Sequence, residues 1–213
     1  MERRQDKLRQ SYDRVATDYA QHFRDEMSKK PFDRKMLDLL AEKVGDLGII
    51  CDLGCGPGQT ARYLHNLGAN VCGIDLSPKM IERAREINPN ISFYQGDMLA
   101  LDEVAENSFG GIAAFYSIIH IPRNDLKQAM SELKRVLRHG GTLLLAFHIG
   151  QEIIHRNEWW DKEVSLNFIF FEIAEMKEIL ASVGFKLQEV IEREPYTEVE
   201  YASHRAYVFA RKP

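Results

Sequence analysis

The sequence predicts an α/β fold: a mostly parallel sheet with helices on both faces, closed at its C-terminal end by an antiparallel hairpin. Three observations carry this. Strand-like and helical runs alternate between residues 48 and 148, the order that produces a parallel sheet covered on both sides. A glycine-rich turn, DLGCGPGQT at 52–60, stands between the first strand and the helix after it. The last two strand-like runs are separated by only about ten residues, Pro195 among them. A parallel crossover needs a dozen or more residues, so these two strands are expected to pair antiparallel.

Leu8, Tyr12, Val15, Tyr19 and Phe23 recur every three or four positions, which places them on one face of an N-terminal helix. A second helix follows Pro31, with Phe32, Met36, Leu37, Leu40 and Val44 inward and Gly45 as its stop. Residues 48–54 read as the first strand and 58–67 as a helix ended by Gly68. The second strand is 70–76; Ser77 then caps a helix with Pro78 at its first position, running to about Ile87. Third and fourth strands follow at 91–97 and 110–117, an amphipathic helix at 124–138 and a fifth strand at 140–148. Residues 149–172 interrupt the alternation. They carry Trp159, Trp160, Phe168, Phe170 and Phe171 but show no clean period, so no element is assigned to them. A helix at 173–183 leads into the closing strands, 185–193 and 204–211.

The 213 residues suit one domain at roughly 100–200 residues per domain. A formal net charge of -4 argues against a general nucleic-acid binder, which needs basic surface to neutralise phosphates. The basic N-terminal residues Arg3, Arg4, Lys7 and Arg9 are interleaved with Glu2 and Asp6 and read as a solvated helix face. Cys51, Cys55 and Cys72 form no disulfide framework and suit a reducing compartment. The charged N-terminus is not a secretory signal, and no apolar run approaches the roughly 18 residues of a membrane span. A cytoplasmic location is expected. The oligomeric state is not legible.

The strongest chemical signal is the glycine turn. Gly54, Gly56 and Gly58 allow a tight bend and a close approach of backbone to a ligand. The helix that follows offers free N–H groups and a partial positive charge. Asp75 ends the second strand 21 positions after Gly54, the spacing at which a carboxylate reaches the ribose hydroxyls of an adenosine cofactor.

These motifs resemble the class I S-adenosylmethionine-dependent methyltransferases, most closely the small-molecule branch typified by ubiquinone and menaquinone biosynthesis. DLGCGPG is similar to the family's first motif, with Asp52 as its acidic opening residue. GIDLSPKMIERAR at 73–85, YQGDM at 94–98 and FYSIIHI at 115–121 resemble the segments that follow. The resemblance covers nearly the whole chain. It implies a Rossmann-like methyltransferase fold with a seven-stranded sheet, S-adenosyl-L-methionine as cofactor and a small-molecule acceptor as partner. It places Gly54, Cys55 and Gly56 near the methionine part, Asp75 on the ribose, Leu76 and Met80 against the adenine, and Asp97 and Met98 at its edge. Tyr12 and Tyr19 would cover the cofactor, and Tyr116 would border its sulfur. The implied layout is an N-terminal helical lid (1–45), a cofactor core (48–148), an acceptor-side insertion (149–172) and a C-terminal helix with the hairpin (173–213).

The acceptor pocket is then expected beyond the fourth and fifth strands, at Tyr116, His120, His148, Trp159 and Trp160. His120 and His148 follow strand ends and are the candidate general bases, with an acid limb expected near the ordinary histidine value of about 6.5. The alternative for each is a partly buried histidine bonded to backbone. The two tryptophans serve equally as core or interface residues. The histidines are too scattered for a metal site. A nicotinamide-dependent dehydrogenase is the rival reading, but its turn is normally GxGxxG and its sheet all parallel. A cofactor-binding protein without catalysis is the other; it leaves the aromatic insertion unexplained.

Overall fold

A computed structural model describes residues 2–213. Met1 and the side chains of Glu2 and Arg3, two of the charged N-terminal residues, lie outside the described residues.

Helix α1 (Glu2–His22) and a one-turn helix α2 (Glu26–Lys29) precede α3 (Pro31–Val44), which starts at its proline and stops at Gly45, φ 48°. The alternating core follows as β1 (Ile49–Leu53), α4 (Gln59–Asn66), β2 (Val71–Asp75), α5 (Pro78–Ile87), β3 (Ser92–Gln95), β4 (Phe109–Phe115), α6 (Arg123–Val136) and β5 (Leu137–His148). The Ser77 hydroxyl accepts from the Met80 N–H at 3.0 Å, the expected cap of α5. Next come β6 (Ile153–Trp159), β7 (Lys162–Ile169), α7 (Ile173–Ser182), β8 (Lys186–Arg193) and β9 (Arg205–Arg211).

The main sheet has seven strands in the order β3-β2-β1-β4-β5-β9-β8. The first five pair parallel, whereas β9 runs antiparallel to both β5 and β8. The short link between the last two strands therefore sets their direction as the sequence implied. Alternation along the strands sends Ile112, Leu143, Leu145 and Val208 to the face covered by α6 and α7. Ala113, Leu144 and Phe209 face α3 instead, alongside Ile50.

The segment without a period folds as a hairpin. β6 and β7 pair antiparallel as a separate sheet, joined by Trp160 and Asp161 at φ 51° and 58°. Left-handed φ at both central residues is the two-residue turn that matches strand twist. Val164 and Leu166 are buried under α1, against the fully buried Val15. The alternation of Val164, Leu166 and Phe168 was the available signal, obscured by the polar, exposed β6. Ser165 N–H donates to Ser11 Oγ at 2.9 Å, Arg14 donates to the Glu163 carbonyl at 3.1 Å, and Lys162 pairs with Asp18.

Candidate functional site

The C-terminal ends of β1, β2 and β4, α1 and the hairpin enclose a cavity of ≈ 270 Å³. At one end stands the glycine turn. The N–H groups of Gly54 and Cys55 both donate to the Ile74 carbonyl, at 2.7 and 3.1 Å, which ties the turn to the end of β2. Gly54 has φ 74°, and a Cβ there would lie 2.3 Å from the Ser117 Cβ. Only glycine fits this position. Asp75 accepts from the Gly56 N–H through Oδ2 and from the Ser77 N–H through Oδ1, both at 2.8 Å. Its carboxylate thus holds the turn in place and keeps lone pairs for a ligand. Burial pushes Asp75 up to about 6, against the Ser77 and Gly56 N–H groups that hold it down. Asp52, 1% exposed, accepts from the Ala61 N–H in the first turn of α4 at 2.9 Å. Burial raises it to about 7. Leu76, Met80, Asp97 and Met98 complete this end of the lining. Asp97 accepts from the Leu99 N–H at 2.9 Å and is raised by burial.

Tyr12 and Tyr19 line the cavity from α1. The Tyr12 hydroxyl lies 2.6 Å from His120 Nε2, and His120 Nδ1 lies 2.8 Å from the Asn167 carbonyl on β7. A carbonyl only accepts, so Nδ1 carries the ring proton and Nε2 accepts from Tyr12. Helix α1, the loop after β4 and the hairpin meet at this one chain of hydrogen bonds. Burial pushes His120 down to about 4, partly opposed by the Asn167 carbonyl. His148 stacks on Phe170 at 5.0 Å and bonds Ser203 Oγ through Nδ1 at 2.8 Å. Burial, then Arg205 and Lys30, push it down to about 3. An acid limb near 6.5 therefore has no histidine of ordinary value behind it in this cavity.

Trp159 lines the cavity and packs edge-on against Tyr12 and Tyr19. Trp160 is outside the lining, stacked between His22 at 4.5 Å and Trp159 at 4.7 Å. Tyr116 lines the cavity just after β4 with φ 50°.

The end beyond Tyr116 is built from residues that sequence reasoning missed. Glu26, Lys30, Asp33, Glu200 and Arg205 all line it. Lys30 pairs with Glu26 and lies 3.6 Å from Glu200. Arg193 grips both Glu200 oxygens at 2.7 and 2.8 Å and reaches Asp33 at 2.8 Å. Burial alone would raise Glu200; Arg193, the Tyr196 N–H, Arg205 and Lys30 together hold it down to about 2. One signal was legible: Asp33 shares the inward face of α3 with Met36 and Leu37, three and four positions on.

Residues 50–141 match the family model described as Methyltransferase domain. A malonyl-[acyl-carrier protein] O-methyltransferase of Pseudescherichia vulneris is 33% identical over 115 residues, 52% of this chain and 43% of that protein. A demethylmenaquinone methyltransferase of Chlorobaculum parvum is 35% identical over 124 residues, 58% and 47% of the two chains. This chain thus spans about half or less of these relatives' length. The solved structure of magnesium protoporphyrin IX methyltransferase from Synechocystis PCC 6803, with bound SAM, superposes at a TM-score of 0.71 with 18% identity, covering 99% of this chain and 97% of that one. An all-parallel dehydrogenase sheet is excluded by the antiparallel β9. Residues 50–141 thus match a methyltransferase domain in sequence, and the chain as a whole shares the fold of that solved methyltransferase structure.

Proposed function

We propose that the protein binds S-adenosyl-L-methionine at the glycine-turn end of the cavity and transfers its methyl group to a small molecule held at the other end. The observation that carries this is one continuous cavity, with Gly54, Gly56 and Asp75 at one end and Tyr116, His148 and Arg205 at the other. The residues present fit the cofactor. A Cβ at Gly56 would meet nothing nearer than Tyr19 Cε1 at 3.8 Å, so backbone is open to a ligand there. Asp75 holds the ribose, Leu76 and Met80 flank the adenine, and Asp97 and Met98 take its edge.

The cofactor supplies a methyl group already activated by its sulfonium. What remains for the chain is to orient the acceptor and exclude water, which contributes roughly 7–11 kcal/mol in favourable cases. Helix α1 and the β6–β7 hairpin act as the lid; the core is 48–148, and the 173–213 segment completes the acceptor end. His120 serves as base through Tyr12: an acceptor proton passes to the Tyr12 hydroxyl as the Tyr12 proton passes to Nε2. His148 forms the acceptor wall. The two curated relatives are named for different acceptors, which fits an acceptor end built outside residues 50–141. The three free, buried cysteines suit a cytoplasmic enzyme, and among the described residues no helix is long and apolar enough to cross a membrane.

Isothermal titration should show S-adenosylhomocysteine binding near micromolar, about -8 kcal/mol at 1 µM, with no comparable binding of NAD. Asp75→Ala should weaken it about 100-fold, the loss of two charge-assisted hydrogen bonds; unchanged affinity removes the ribose assignment. In radiolabelled methyl transfer to a metabolite pool, His120→Ala should lower turnover roughly 10²–10⁴-fold while S-adenosylhomocysteine affinity stays within about threefold. Near-normal turnover returns His120 to a structural role.

A further inference from the structure

The direction of every hydrogen bond around Tyr116 is fixed by its neighbours. Tyr207 is fully buried beneath it, and its hydroxyl has three partners, Arg193, Asp33 and Tyr116, and one proton to give. Arg193 Nε donates to it at 2.9 Å. Asp33 Oδ1, which also takes a bond from Arg193 Nη2 at 2.8 Å, accepts the Tyr207 proton. A carboxylate paired with a guanidinium only accepts, and a guanidinium only donates. Tyr207 therefore has no second proton for the Tyr116 hydroxyl 3.2 Å away, and Tyr116 must be the donor in that contact. Its proton is turned away from the cavity, and only lone pairs are left for a ligand.

We propose that Tyr116 is a specificity-determining residue that admits an acceptor presenting a hydroxyl or amine hydrogen to it, and rejects one presenting only lone pairs. This deepens the methyl-transfer reading and rests on it. The backbone supports it: Tyr116 lies at φ 50°, a conformation that costs an aromatic residue about 1–2 kcal/mol, with its N–H held by the Ala146 carbonyl at 2.9 Å. The ring is fixed as well, with Lys30 Nζ 5.4 Å and Arg205 Cζ 5.9 Å from its centroid. Arg193 remains clamped by both Glu200 oxygens, so the network cannot turn its protons around without breaking an ion pair. A ligand carbonyl at Tyr116 would set lone pair against lone pair in a buried site, whereas a ligand O–H or N–H completes the chain. Asp33, Arg193 and Tyr207 are positioning residues in this scheme, acting through Tyr116.

The test uses two flat probes of similar size on protein saturated with S-adenosylhomocysteine: phenol, which donates, and acetophenone, which only accepts. Ligand-observed NMR titration should show phenol binding at least tenfold more tightly. In Tyr207→Phe the Tyr116 proton is freed to face the cavity, and the ratio should collapse toward one through a gain in acetophenone affinity, a change that simple loss of packing does not produce. Tyr116→Phe should abolish the phenol preference. No phenol binding, a wild-type ratio near one, or a ratio unmoved in Tyr207→Phe overturns the proposal. Saturation is read first. If S-adenosylhomocysteine fails to bind, the methyl-transfer reading falls and this inference with it; if it binds and the ratios are unmoved, this inference falls alone.

Discussion

The two ends of the cavity are assembled in different ways. The cofactor end takes Asp52, Gly54, Gly56, Asp75, Met80 and Asp97 from one stretch of under fifty residues, each at a strand end, in the turn after it or, for Met80, in the first turn of the helix that follows. Its carboxylates bind backbone N–H groups: Asp75 those of Gly56 and Ser77, Asp52 that of Ala61, Asp97 that of Leu99. The acceptor end takes Tyr12, Lys30, Asp33, Tyr116, Glu200 and Arg205 from segments as far apart as the chain allows. Its charges bind one another, through Arg193, Glu200, Asp33 and Lys30. A site built on local backbone is rigid and generic, because every strand–turn–helix unit presents the same groups. One built from distant side chains is particular to its chain, and it can differ between relatives that share a cofactor.

This contrast can be broken at the cofactor end by removing its conformational requirement. Gly54→Ala combines a left-handed φ with a Cβ 2.3 Å from Ser117 Cβ. It should cost about 3 kcal/mol of stability, from αL strain of 1–2 kcal/mol plus overpacking, read as a lowered denaturation midpoint. A neutral result would mean that the turn adapts and is not the rigid half.

A smaller effect sharpens the difference by pH. In the proposed binding mode the cofactor needs ionised Asp75, whose carboxyl is pushed up to about 6 by burial. Below that value the protonated form dominates and loses acceptor capacity, so S-adenosylhomocysteine affinity should fall about tenfold, 1.4 kcal/mol, per pH unit. His120 and His148 sit at about 4 and 3, so they add nothing to this profile between pH 5 and 6. An affinity that holds to pH 4.5 would show that Asp75 is not the controlling group.

The smallest effect belongs to the contact joining the halves. Asp13 on α1 accepts from Ser77 Oγ at 2.6 Å and from the Lys79 N–H at 3.3 Å, at the start of α5. Asp13→Ala should cost about 1 kcal/mol, the scale of a lost helix cap, and should speed proteolysis between α1 and α3 more than it lowers global stability. Equal protection in wild type and variant would mean that α1 is held by the hairpin alone.

The glycine-turn half of the cavity was legible in the order of residues alone. Strand–helix alternation, the glycine spacing, the Asp75 interval and the Ser77-Pro78 cap are all local: each depends on residues a few positions apart whose backbone needs decide the conformation. The antiparallel end was equally legible, because a short link forbids a crossover whatever the rest of the chain does. The rest depends on contacts between distant parts of the chain. The insertion became a hairpin because α1 covers Val164 and Leu166; β6, largely solvent-exposed, gave no period of its own. Trp159 and Trp160 stack on each other at 4.7 Å, yet only Trp159 lines the cavity, while Trp160 also stacks on His22 of α1. Lys30, Asp33, Arg193, Glu200 and Arg205 read singly as ordinary surface charges. They become a buried network because folding brings α3, β8, β9 and the loop between the last two strands together, and a buried charge is stable only where partners from elsewhere in the chain arrive to pair with it.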